Sequence, residues 1–319
     1  GGFPGIDRPQ HVTTDRLGYR TYPPVDYRAS SAGRIVAIGG STTEQIYLDD
    51  RATWTYLLQE GLRRRLGRPV EVVNTGVSGL RSRHHLATLE AVAGLRPDLV
   101  LFLVGANDWI RAIYDDHGGP PPRCVLPPCL DETPIGSAVT RVWAGVRGVA
   151  VPVERVRIDH GEYFEGKRDS LARPDRRAYR RDCVSEDYRD SLERIARECS
   201  RKAIRCAFIT QPNGYALNAS DEYTKGKGFW MTPPNTDYTL SLEDMHRLAE
   251  LYNDHLASFA RAHGLPLCDI APEIPSSHEA YYDDMHYNTR GAALVAEKLQ
   301  PCVAAALGSA DSGPGPKGK

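Results

Sequence analysis

Short apolar runs alternate along this chain with longer stretches whose apolar residues recur every three or four positions. The first run is Ile35-Val36-Ala37-Ile38, ending at Gly39-Gly40, and it predicts a strand over residues 34–38. Further strands are predicted over 69–74, 98–104, 204–210 and 266–270. After Asp98 the 98–104 run is continuously apolar, and it is bounded by Pro97 and Gly105, as a central parallel strand buried on both faces should be. Between the strands the spacing turns helical. Trp54, Leu57, Leu58 and Leu62 mark one face of a helix over 53–66, and Met245, Leu248, Leu251, Tyr252, Leu256 and Phe259 one over 242–263. Helices are also predicted over 84–95 and 289–307. Strands alternating with helices specify an α/β domain with a central parallel sheet.

The periodicity breaks down in two places. Residues from about 110 to 200 read as a long insertion, Pro-rich at first and partly helical near 138–149 and 186–202. A second polar loop covers 213–239. Residues 1–33 read as an extended lead-in without a core of its own, 34–307 as the α/β domain, and 308–319 as a Gly/Ser/Pro/Lys-rich disordered tail. No repeat and no second core is visible.

Composition narrows the classes. Hydrophobic residues make up 41% and charged residues 25% of the 319, ordinary for a globular protein. With 40 Lys and Arg against 41 Asp and Glu, the chain offers no broad attraction to nucleic acid or anionic membranes. No run approaches the about 18–20 apolar residues of a membrane span. The basic, aromatic stretch from Lys167 to Arg181 reads either as a wall that selects an anionic or saccharide substrate or as a solvated face. Gly226, Gly228, Phe229 and Trp230 fit a lid, a sugar platform or plain loop packing. Of seven cysteines, Cys124 and Cys129 bracket a loop and form either a local disulfide or two thiols, and Cys206 and Cys268 read as small core residues. A disulfide would fit an exported, periplasmic or extracellular protein. The opening Gly1-Gly2-Phe3 lacks a methionine, compatible with a signal or anchor removed upstream. There is no zinc-type Cys/His spacing, so neither a metal nor a cofactor is expected.

In open parallel sheets ligands bind at the carboxyl ends of the strands, so the loops after 38, 74, 104, 210 and 270 are where chemistry is sought. The first holds Gly39-Gly40-Ser41-Thr42-Thr43. Ser41 would project into the cleft there, although Ser is also a favoured helix cap. The second holds Asn74-Thr75-Gly76-Val77-Ser78-Gly79, which exposes backbone N–H groups suited to an oxyanion, or is an ordinary turn. The third holds Gly105-Ala106-Asn107-Asp108, where the Asn107 amide either donates to a developing oxyanion or makes a local cap. Just before the last helix comes Asp283-Asp284-Met285-His286. A carboxylate three residues ahead of a His can accept its Nδ1–H and leave Nε2 to take a proton from Ser41.

These four blocks, in this order, resemble those of the SGNH/GDSL hydrolases over about 34–108 and 204–305. The resemblance implies a flavodoxin-like three-layer α/β/α fold and a serine esterase working through an acyl-enzyme. It implies Ser41 as nucleophile, His286 as general base and then acid, and Asp283 as its orienting carboxylate, with Asp284 the second choice. Ser41 N–H, Gly79 N–H and the Asn107 amide would form the oxyanion hole. The first block departs from Gly-Asp-Ser-Leu by carrying Gly40, and resembles the Gly-Gly-Ser-Thr-Thr form of exported members acting on carbohydrate or cell-envelope esters. The implied partner is a small-molecule or saccharide ester, cleaved by water. An O-acyltransferase passing the acyl group to a sugar hydroxyl, and a silent saccharide-binding module on the same scaffold, are the alternatives. Oligomeric state is not legible.

Overall fold

The computed structural model describes residues 5–6, 10–28, 33–117, 183–226, 229 and 240–308. Five strands form one parallel sheet: β1 (Gly33–Gly39), β2 (Val70–Asn74), β3 (Leu99–Leu103), β4 (Cys206–Ile209) and β5 (Leu267–Cys268). Their spatial order is β2-β1-β3-β4-β5, the flavodoxin-like order. Every residue of β1, β3 and β4 is buried, which is why those segments read as unbroken apolar runs.

The helices are α1 (Ser41–Glu44), α2 (Trp54–Leu66), α3 (Ser82–Val92), α4 (Ala106–His117), α5 (Glu186–Arg201), α6 (Asp221–Thr224), α7 (Leu242–Ala262) and α8 (Thr289–Gly308). Right-handed crossovers from β1 leftward to β2 and then rightward to β3 put α2 and α3 on opposite faces. Helix α8 returns against α2, and α3 packs against α5, so helices cover both faces of the sheet. Helix α5 lies within the stretch read as an insertion, yet its Tyr188, Leu192 and Ile195 are part of the core. The predicted 138–149 helix, the Cys124/Cys129 pair, the 167–181 basic run, Trp230 and the 309–319 tail fall outside the described residues.

Two cysteine readings change. Cys206 and Cys268 are buried, but each is bridged, Cys206 to Cys199 and Cys268 to Cys302, with Cα atoms 6.3 and 5.6 Å apart. The first bridge ties the last turn of α5 to the start of β4, seven positions on, and the second ties β5 to α8, which packs against it. The Cys268–Cys302 bridge spans 34 positions. Closing a loop of that length removes about 2–4 kcal/mol of chain entropy from the unfolded state. Replacing both cysteines by serine is therefore expected to lower the unfolding free energy from urea titration by about 2–4 kcal/mol, and an unchanged urea midpoint would contradict it.

Candidate active site

The reversal of strand order opens a crevice between the carboxyl ends of β1 and β3. The loop after β1 turns at once into α1. Gly40 is the cap and Ser41 the first helical residue, so Ser41 is not the cap itself. Thr43 N and Glu44 N donate to Gly40 O at 3.0 and 2.9 Å, closing a single turn that presents Ser41 at the crevice.

Across the crevice, residues 280–288 form a tight turn. Tyr281 and Tyr287 pair as an antiparallel bridge, and Tyr282 N donates to His286 O at 3.0 Å. Asp283 organises this turn. Its Oδ1 accepts from Met285 N (2.8 Å) and His286 N (2.6 Å), and its Oδ2 lies 2.8 Å from His286 Nδ1. The carboxylate is fully buried, and these donors offset what an unpaired buried charge would cost. With Nδ1–H given to Asp283, Nε2 of His286 is the accepting nitrogen. It lies 2.8 Å from Ser41 Oγ. Ser41, His286 and Asp283 thus form one continuous chain of hydrogen bonds between residues 245 positions apart. Asp284 is turned away and accepts from Tyr215 OH at 2.9 Å.

The second and third loops meet beside this chain. Asn107 makes no local cap with its amide; Nδ2 donates to Leu80 O at 2.9 Å. The same Nδ2 fills the space a Cβ on Gly40 would take. Glycine at position 40 therefore lets the Asn107 amide come up against the residue preceding Ser41. Gly79, next to Leu80, has φ +78°, a conformation that favours glycine, and its missing side chain leaves open space. Asp108 braces the arrangement by accepting from Ser82 Oγ (2.6 Å) and Ser82 N (3.2 Å). Burial pushes its carboxyl up to about 6, against the lowering effect of the Ser82 hydrogen bonds. Glu44 ties the second loop to α1, accepting from Ser78 N at 2.8 Å and from Ser78 Oγ.

Several residues at the site had no motif to mark them. Gln211, buried at the end of β4, joins the two sides: its Oε1 accepts from Thr42 Oγ1 (3.1 Å), and its Nε2 donates to Tyr287 OH (3.1 Å). Its partners in space are thus the sequence neighbours of Ser41 and His286. Tyr223 OH donates to Asp283 O at 2.7 Å, and the Tyr282 ring stacks on the His286 ring at 5.6 Å and 8°. The one available signal was position, since Gln211 follows a strand at the carboxyl edge. Among the described residues, no group of three or more His, Cys, Asp or Glu side chains is placed to hold a metal ion. No described helix is long and apolar enough to cross a membrane.

The sequence matches the GDSL-like lipase/acylhydrolase family model over residues 37–294. No curated protein matches it. Among solved structures it is similar to an alpha/beta hydrolase enzyme from the metagenome of Lake Arreo, Spain, at 17% identity over 89% of this chain and 98% of that one, TM-score 0.48. It is also similar to the psychrotrophic esterase EstA from Pseudoalteromonas sp., at 12% identity over 86% and 99%, TM-score 0.48. A mutant acetyl-xylooligosaccharide esterase from Geobacillus is a third, at 13% identity over 88% and 96%, TM-score 0.45.

Proposed function

Because the chain belongs to the GDSL-like lipase/acylhydrolase family, and so is an ester hydrolase, we propose that it cleaves short-chain O-acyl esters through an acyl-enzyme on Ser41. The observation that carries this reading is the Ser41–His286–Asp283 chain, with both His286 contacts at 2.8 Å. His286 Nε2 takes the Ser41 proton as Oγ attacks the ester carbonyl. Asp283 holds the imidazole in the accepting tautomer and stabilises the imidazolium that forms. Ser41 N–H, Gly79 N–H and the Asn107 amide receive the oxyanion. His286 then protonates the leaving alkoxide, and water, activated by the same imidazole, frees the acid.

The Gly-Gly-Ser-Thr-Thr form of the first block supports carbohydrate or cell-envelope esters as substrates. The two disulfides support an exported protein, since such bonds persist in oxidising compartments. Asn107→Ala is expected to lower kcat by about 100–1000-fold, the effect of removing one oxyanion donor. Steady-state hydrolysis of a chromogenic acetyl ester checks it, and a loss under about threefold would remove Asn107 from the oxyanion hole. The same ester, supplied with and without an acetylatable sugar, tests the reaction itself. Acetate as the main product in both cases supports hydrolysis. Acetyl-sugar as the main product would replace that reading with acyl transfer from Ser41, and no turnover with graded esters or acetylated saccharides would overturn both.

A further inference from the structure

The lead-in lies ahead of the residues matched by the family, which begin at 37, yet it sends one charged side chain beneath the nucleophile's turn. Arg20 is 8% exposed. Its main chain pairs with the end of β2, Arg20 N donating to Asn74 O at 3.0 Å and Asn74 N to Arg20 O at 3.2 Å. That pairing fixes where the side chain goes. Arg20 Nε donates to Asp50 Oδ1 at 3.3 Å. Nη1 donates to Glu44 O at 2.7 Å and to Gln45 O, and Nη2 donates to Leu48 O. Glu44 is the last residue of α1, Gln45 follows it directly, and Leu48 lies three residues beyond Gln45.

A helix of one turn has no interior of its own, and its last carbonyls need donors from elsewhere. Gln45 leaves α1 at φ 53°, ψ 46°, a left-handed conformation that a non-glycine residue holds only when its surroundings fix it. The guanidinium is a planar fork of donors that reaches several carbonyls at once, as an ammonium does not. The lead-in is itself pinned to the same corner. His11 N donates to Asp49 Oδ2 and Thr13 N to Asp50 Oδ1, both at 3.0 Å. Asn74, whose main chain carries Arg20, also donates its Nδ2 to Thr43 O at 2.6 Å.

We infer that Arg20 is a positioning residue for the nucleophile: its guanidinium clamps the carbonyl end of the one-turn helix whose first residue is Ser41, and thereby sets the approach of Ser41 Oγ to His286 Nε2. The inference rests on the proposed role of Ser41. Loss of the clamp leaves three carbonyls without these donors and lets the turn shift. A displacement of about 1 Å at reacting groups costs about 100-fold in rate.

The test uses the full chain with Arg20→Lys, Arg20→Met and Asp15→Asn. Asp15 is a buried lead-in carboxylate that accepts from Leu17 N, Tyr19 N and Tyr27 OH and makes no hydrogen bond to α1, so it reports the stability of the lead-in turn. Active sites are titrated with a fluorophosphonate, and kcat and KM for an acetyl ester are expressed per titrated site. Arg20→Met is expected to lose about 100-fold in kcat and Arg20→Lys about 10-fold, with KM within about twofold. Asp15→Asn is expected to lower Tm and keep kcat per site within about twofold. Should Arg20→Met fail to fold, Arg20→Lys decides. A lowered Tm with unchanged kcat per site in Arg20→Lys would overturn the inference. A wild-type chain unlabelled at Ser41 would instead overturn the reading of Ser41.

Discussion

Ser41→Ala and His286→Ala are each expected to lower kcat for acetyl-ester hydrolysis by about 10⁶-fold, and the double variant by no more than either alone. The reason lies in the 2.8 Å contact between Oγ and Nε2. A serine hydroxyl without a base is a weak nucleophile, and a base without that hydroxyl has no proton to take. The two act as one unit, so removing the second costs little once the first is gone. The circular dichroism of both single variants should match the parent, because each side chain faces the crevice and neither is part of the core. Losses that multiply in the double variant would mean that the two residues serve separate steps.

Asp283→Asn is expected to cost about 10⁴-fold in kcat, and Asp284→Asn less than about tenfold. The two carboxylates are adjacent in sequence, and both are buried, so sequence alone ranks them weakly. Geometry separates them. Asp283 faces His286 Nδ1, whereas Asp284 accepts from Tyr215 OH. An amide at 283 can turn its NH₂ toward Nδ1, favouring the tautomer with the proton on Nε2, where it cannot accept from Ser41. At 284 the change touches only the support of the turn, and its effect should appear chiefly in thermal stability. Equal losses at both positions, read in kcat from the same assay, would contradict this assignment.

The contrast between these two carboxylates shows what a single sequence carries. The strands were legible because β1, β3 and β4 are buried on both faces, and glycine marks the end of the apolar runs of β1 and β3. The helix faces were legible because residues such as Leu248, Tyr252 and Leu256 recur at helical spacing and are buried. The edge strand β5 is shorter than its apolar run, since only Leu267 and Cys268 pair with β4. Ser41 and Asn107 stood out because each lies at the start of a helix just past the carboxyl end of a strand, where topology concentrates ligands, and Asp283 and His286 because they pair at short spacing just ahead of the last helix. Gln211 and Arg20 did not. Each is a polar residue whose partners lie far off in sequence, Thr42 and Tyr287 for one, Glu44 and Leu48 for the other. No local period encodes such meetings; they exist only once the loops are brought together. The disulfide partners were hidden for the same reason, because Cys302 meets Cys268 through the packing of α8 on β5.

Gly40 illustrates a departure that the structure explains. A side chain there would displace the Asn107 amide, so the first and third blocks are matched to each other in this chain. Gly40→Asp is therefore a poor route back to the more common form of the block unless Asn107 moves with it.

Acylation of Ser41, with His286 as its base, is the step on which the proposed reaction turns. Incubation with a fluorophosphonate followed by peptide mass mapping tests it most directly. One stoichiometric adduct is expected, on Ser41, with its formation slowed by orders of magnitude in His286→Ala. An adduct on a different residue, or no adduct in a chain that still turns over acetyl esters, would contradict it.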